Sequence, residues 1–204
     1  MRGCFLDVGS MGDGLDWDAL TGAVDDWQCH HNTTREQVAE RVAGADIVVT
    51  NKVVLDADTL ENADKLKLVC VAATGFNNVD VDAAARCGIA VVNVTGYATP
   101  AVSQHVLALM LAHATRWASY DTAVKRGDWA ASEFFCLLDY PIEELAGQTL
   151  GLIGHGELGQ AVGRLAEAFG MSVLVGERPG ATSIRDGRVA VDELLERSDM
   201  ISLH

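Results

Sequence analysis

Short, unbroken apolar runs alternate with helix-like stretches along nearly the whole chain, and this rhythm limits the fold more than any other feature. Residues 4–8 (CFLDV), 45–50 (ADIVVT), 66–73 (LKLVCVAA) and 89–94 (IAVVNV) read as strands. They lack the apolar–polar alternation of a strand with one wet face, so they suit a parallel sheet covered on both sides. Helical patterns fall between them: from Trp17 to Asp25, from a Thr33 or Thr34 cap to Ala43, over 56–64, and over VDVDAAARCG, closed by Gly88. Parallel neighbours need a crossover, usually a helix, so this order predicts a doubly wound α/β unit.

Residues 95–100 (TGYATP) read as the way out of that unit. The longest helical pattern follows, from about Ala101 to Arg126, with Val102, Val106, Leu109, Met110 and Ala114 on one stripe. The stretch 127–147 is irregular and aromatic (Trp129, Phe134, Phe135, Tyr140). The rhythm then resumes: strand QTLGLI, helix 157–169, strand MSVLVG, helix 191–197 and strand DMISLH. The expected plan is two α/β units, residues 1–97 and 98–204, joined by one long helix.

Composition excludes more than it proposes. Acidic residues outnumber basic ones 29 to 15, a net charge of −14, and no basic run exists. That argues against a nucleic-acid or anionic-membrane partner. The longest mid-chain apolar run, 106–112, is far below the roughly 18–20 residues of a membrane span. The N-terminal MRGCFLDVGSMGDGLD lacks the pattern of a signal peptide. Cys4, Cys29, Cys70, Cys87 and Cys136 are odd in number, without a CxxC pair, and read as reduced, mostly buried thiols of a cytoplasmic protein. No His, Cys and acid cluster with metal-ligand spacing is found.

The chemistry concentrates in Gly154-His155-Gly156-Glu157-Leu158-Gly159, a G-x-G-x-x-G that follows a predicted strand and opens a predicted helix. The first glycine makes the tight turn, the second lets the backbone approach a pyrophosphate, and the third packs helix on strand. Free N–H groups at the helix start hold the anion. Glu177 ends the next strand, eighteen residues beyond Gly159, where a carboxylate can accept both adenosine ribose hydroxyls and repel a 2′-phosphate. This favours NAD, while the neighbouring Arg178 offsets the repulsion and leaves NADP open.

A second candidate is the loop Ala73-Thr74-Gly75 after LKLVCVAA, whose consecutive N–H groups suit a small carboxylate. A plain turn with Asn78 or Asp80 capping a helix explains the same residues equally well. Lys52 lies in the equivalent place one strand away. The six histidines, His30, His31, His105, His113, His155 and His204, have no acidic partner at a spacing that would tune a proton donor.

Taken together, TNKVVLDADTL, VAATGFNNVDVDAAARCGIAVVNVTGYATPAVSQHVLALMLA, GDWAASEFFCLLDYPIEELAGQTLGLIGHGELGQAVG and VDELLERSDMISLH resemble the D-isomer-specific 2-hydroxyacid dehydrogenases, most closely their glycerate dehydrogenase (hydroxypyruvate reductase) group. The resemblance implies a flavodoxin-like substrate domain followed by part of a Rossmann NAD-binding domain, and hydride transfer between nicotinamide and a small 2-keto or 2-hydroxy acid. It assigns the substrate carboxylate to the N–H groups of Ala73, Thr74 and Gly75, with Lys52 nearby. It assigns the pyrophosphate to residues 154–159, the ribose to Glu177, the nicotinamide amide to Val102 and a cofactor contact to the His204 backbone. It also implies a homodimer through the helix beginning near Ala101.

Family members run to roughly 310–330 residues. The resemblance places the substrate-clamping Arg, the proton-donating His and its Glu partner after SLH, so no catalytic residue is assigned within these 204. Negligible turnover of this chain alone is expected, the alternative being a non-catalytic dinucleotide-binding or dimerising protein. An unpaired apolar edge at DMISLH would then favour aggregation.

Overall fold

The computed structural model of the chain describes every residue except 13, 15, 17–19, 21 and 23. The helix expected from Trp17 to Asp25 falls largely outside the described residues. Two compact units are present, Met1–Gly96 and Tyr97–His204.

In the first unit the strands are β1 (Arg2–Phe5), β2 (Asp26–Cys29), β3 (Ile47–Thr50), β4 (Leu68–Val71) and β5 (Ala90–Asn93). All pair in parallel, in the order β2-β1-β3-β4-β5, the flavodoxin-like order. Helices α1 (Arg35–Val42), α2 (Ala57–Glu61) and α3 (Val81–Arg86) supply crossovers. Their starts follow local chemistry. Thr34 caps α1, its N–H donating to Gln37 Oε1 at 3.1 Å; Asp56 and Asp80 accept from the third-residue N–H groups of α2 and α3. Thr33, the other predicted cap, is buried and donates its hydroxyl to the Leu6 carbonyl. Gly88 adopts the left-handed conformation (φ 70°) that closes α3.

The core between sheet and helices includes Leu6, Val48, Leu55, Leu60 and Val69, each 0–1% exposed. A fully buried Leu or Val of this kind stabilises by about 1.5–3 kcal/mol. The strand predicted over 4–8 is shifted toward the N-terminus: Asp7 turns its carboxylate into the loop after β3, and Val8–Met11 forms a 3-10 turn.

The second unit contains β6 (Thr149–Ile153) between β7 (Ser172–Val175) and β8 (Met200–Leu203), all parallel. Its helices are α4 (Thr99–Thr115), α5 (Trp117–Arg126), α6 (Asp128–Ala131), α7 (Glu157–Ala168) and α8 (Val191–Arg197). Leu107, Met110 and Ala114 of α4 share a core with Leu150, Leu152, Val162, Ala166 and Met171. The central β6 is buried, whereas β7 and β8 keep exposed positions.

Three expectations are corrected. The helix expected from 101 to 126 breaks at Arg116, which takes a left-handed conformation (φ 51°) and separates α4 from α5. On α4, Met110 and Ala114 of the expected stripe face the core, but Leu107 takes the place expected for Leu109, which is 59% exposed. The cysteines are free, but only Cys4 is buried; Cys29 and Cys87 are exposed and Cys70 and Cys136 intermediate. Burial raises the Cys4 thiol to about 11.

Candidate dinucleotide and substrate sites

In the second unit, β6 runs directly into the glycine motif, and each glycine meets a different physical demand. Gly154 sits at φ 101°, and a Cβ there would strike the His204 carbonyl oxygen. Gly159 lies under the Gly154 carbonyl, which a Cβ at 159 would likewise strike. At Gly156, by contrast, a Cβ would meet nothing within 4 Å. The turn and the close helix–strand packing therefore require the outer glycines, while the middle one keeps an open face.

Gly156 is the N-cap of α7 and provides no side-chain cap. The first-turn N–H groups of a helix have no carbonyl one turn earlier to bond, so they remain available to an anion. Glu157, the acid in that turn, has its Oε1 taken by the Thr99 hydroxyl at 2.5 Å. The Gln160 amide donates to the His155 carbonyl at 3.2 Å, bracing the loop. Leu158 is half-buried and Gly159 buried. These residues fit the pyrophosphate of a dinucleotide: the donors face an open surface that no Cβ fills.

His204 lies beside the same loop. Its N–H donates to the Ile153 carbonyl at 2.9 Å, and partial burial lowers the pKa of its ring. Val102, in the first turns of α4, is half-buried.

Glu177 follows β7 and is only 5% exposed. Its carboxylate is already full. Oε1 accepts from the Arg178 N–H (2.8 Å) and from Arg185 Nη2; Oε2 accepts from the Arg185 N–H (3.1 Å) and Nε (2.8 Å). Arg188 Nη1 stands 4.0 Å from Oε1 and donates to the Gly176 carbonyl at 3.2 Å. The Arg185 guanidinium, then the Arg178 N–H, hold the Glu177 carboxyl far below the usual carboxylate range. Arg185, eight residues downstream in an irregular segment, is a partner that strand-end spacing could not disclose.

The first unit presents its loops at the carboxyl ends of β3 and β4, which pair up to Thr50 and Val71. Ala73 is buried, whereas Thr74 and Gly75 are exposed. Asn93 Nδ2 donates to the Thr74 carbonyl (2.7 Å) and the Val94 N–H to the Ala73 carbonyl (3.1 Å), fixing the loop by its acceptors. Among the described residues, the Thr74 and Gly75 N–H groups donate to no protein acceptor, so they are free for a small carboxylate. Asp80 caps α3, so the capping explanation accounts for Asp80 and leaves these donors unexplained.

Lys52 is exposed, and its backbone N–H donates to Asp7 Oδ2 at 2.7 Å, as that of Asn51 does to Oδ1 at 2.8 Å. Asp7, 4% exposed, thus holds the whole Asn51-Lys52 turn. Its one sequence signal was an acid closing an otherwise apolar strand. Beside it lies a cleft of about 690 Å³ lined by Asp7, Ser10, His31, Arg35 and Lys52 among others.

Among the described residues no group of His, Cys, Asp and Glu could hold a metal ion, and no helix is long and apolar enough to cross a membrane.

The D-isomer specific 2-hydroxyacid dehydrogenase catalytic-domain family matches residues 14–193, and the chain belongs to that family. It is 46% identical over 178 residues to a putative 2-hydroxyacid dehydrogenase of Haemophilus influenzae, covering 87% of this chain and 56% of the relative. It is 42% identical over 197 residues to a glycerate dehydrogenase of Methylorubrum extorquens, covering 93% of this chain and 62% of the relative. A hydroxypyruvate reductase of Blautia hydrogenotrophica is 37% identical over 93% of this chain and 61% of its own length. The chain thus spans 56–62% of the length of these curated relatives.

Among solved structures, an acyclic imino acid reductase in complex with NADPH and D-Arg matches at 25% identity and TM-score 0.81, over 100% of this chain and 65% of that one. A D-lactate dehydrogenase from Aquifex aeolicus complexed with NAD and lactic acid matches at 26% identity and TM-score 0.76, over 99% and 60%.

Proposed function

We propose that the chain serves NAD(P)-dependent reduction of a small 2-keto acid to its 2-hydroxy acid, with hydroxypyruvate and D-glycerate as the substrate pair. The observation that carries this reading is the cradle at residues 154–159, where helix-start donors face open space between two glycines that backbone contacts demand. The names of the curated relatives support the substrate class.

When bound, the dinucleotide supplies the hydride. Residues 154–159 hold its pyrophosphate by backbone N–H groups, Val102 meets the carboxamide end and the His204 backbone flanks the cofactor. The Ala73, Thr74 and Gly75 N–H groups orient the substrate carboxylate, and Lys52 contributes positive charge. Such positioning lowers a barrier by converting encounter into a held geometry. Residues 1–97 act as the substrate domain and 98–204 as the dinucleotide domain.

A homodimer through the α4 region is part of this reading. Trp117 (58%), Trp129 (53%), Phe134 (71%) and Phe135 (91%) expose more aromatic surface than a monomer usually leaves bare. The free cysteines fit a cytoplasmic setting.

The test is titration of the chain with NADH and NADPH, followed by reduced-nicotinamide fluorescence, with and without hydroxypyruvate. Saturable binding, lost in Gly156→Ala and tightened by hydroxypyruvate, is expected. Absence of binding by either dinucleotide overturns the reading.

A further inference from the structure

We infer that the adenosine end of the dinucleotide site is built for a 2′-phosphorylated nucleotide of the NADPH class, with Glu177 holding Arg185 in place instead of binding ribose. This deepens the proposed dinucleotide reading and rests on it. A carboxylate offers about four lone-pair positions. Four donors occupy Glu177: the backbone N–H groups of Arg178 and Arg185, and Arg185 Nε and Nη2. Ribose hydroxyls could use this carboxylate only by breaking a charge-assisted, two-pronged pair, the strongest kind of side-chain hydrogen bonding.

What remains beside the carboxylate is cationic. Arg185 spends two of its five guanidinium N–H donors on Glu177 and is 51% exposed, so three remain for a ligand. Arg178 is exposed, and its guanidinium bonds to no protein group among the described residues. Arg188 stands 4.0 Å from the carboxylate. Two acids, Glu177 and Asp192, against three arginines leave one positive charge in excess about the cleft. Asp192 borders the cleft from the first turn of α8, and Arg178 is the arginine that lines it, with Arg185 beside it through the shared Glu177. The cleft, about 560 Å³, is bordered by Glu177, Arg178, Thr182 and Ser183 among others, and its hydroxyls suit phosphate oxygens. Arginine is the side chain that matches a phosphate in two-pronged geometry.

The experiment is calorimetric titration of the whole chain with adenosine 2′,5′-bisphosphate and with 5′-AMP, supported by NADPH and NADH titrations. The bisphosphate is expected to bind at least about tenfold more tightly than 5′-AMP. Arg178→Ala, an exposed change, should weaken the bisphosphate several-fold and leave 5′-AMP within about twofold. Glu177→Gln, which loosens the hold on Arg185, should leave 5′-AMP binding within about twofold. Equal or tighter binding of 5′-AMP, or a selective loss of 5′-AMP binding in Glu177→Gln, overturns the inference and leaves the dinucleotide reading standing. Failure of both dinucleotides to bind overturns that reading and this inference together.

Discussion

The loop after β3 in the first unit and the loop after β6 in the second both leave the carboxyl end of a parallel strand, yet they are held by opposite means. After β3, a buried side chain consumes the backbone donors: Asp7 takes the N–H groups of Asn51 and Lys52. After β6 no side chain takes the donors; backbone packed on glycine fixes the turn, Gln160 braces it through a carbonyl, and the donors stay unspent. A strand end therefore becomes scaffold or ligand cradle according to where its N–H groups go, because each buried donor must find a partner and each exposed one can await one. By that criterion the loop after β4 resembles the glycine cradle more than its neighbour after β3.

The glycines give the largest effect. Gly159→Ala places a methyl against the Gly154 carbonyl and should cost about 1–3 kcal/mol of stability, as overpacking does. Gly156→Ala meets open space, so its stability should stay within about 0.5 kcal/mol while dinucleotide affinity falls at least about tenfold. Thermal melts and fluorescence titration of the two variants separate fold from binding. Equal losses of stability would erase the distinction drawn between the outer and middle glycines.

Asp7 tests the other half of the comparison. Asp7→Ala leaves two N–H groups near a buried site without their acceptor and should cost about 2 kcal/mol, measured by urea unfolding. Asp7→Asn keeps one acceptor oxygen and should cost less. Dinucleotide affinity should be unchanged in both variants. A loss of dinucleotide binding equal to that of Gly156→Ala would show the two loops are not separate devices.

Glu177 gives a pH-dependent effect. Its carboxyl is held low in the folded chain by Arg185, so the unfolded chain binds the extra proton first. The stabilisation is therefore present above the ordinary Glu range of about 4.3 and is lost as pH falls below it. Melts at pH 6 and pH 3 should show the gap between the natural chain and Glu177→Gln shrinking with acidity. A gap that widens would contradict the ion pair.

Much of this architecture was legible in the residues. Unbroken apolar runs such as LKLVCVAA have one stable use, a covered parallel strand, and Asp56, Asp80 and Thr34 announce their helices by local hydrogen bonding. The glycine turn was readable because its spacing encodes backbone geometry. Asp7 and Arg185 were not, since each acts on residues 44 or 8 positions away through a fold that periodicity does not describe. The break at Arg116 was hidden for a related reason. A non-glycine residue in the left-handed region carries no compositional sign, and the apolar spacing runs on through it.

Arg116 supplies the smallest expected effect. Eleven glycines take positive φ among the described residues, and Arg116 is the one other residue that does. A side chain with a Cβ pays roughly 1–2 kcal/mol to occupy that region. Glycine removes this strain but loses more backbone entropy on folding, about 0.5–1 kcal/mol relative to Ala. Arg116→Gly should therefore stabilise the chain by about 0.5–1 kcal/mol, a rise of a few degrees in Tm. Arg116→Val should lower Tm, because a β-branched side chain fits the left-handed region worst. If glycine lowers Tm instead, some interaction of the arginine outweighs its backbone strain, and the junction of α4 with α5 is held by a side chain, as the turn after β3 is, instead of by backbone freedom, as the turn after β6 is.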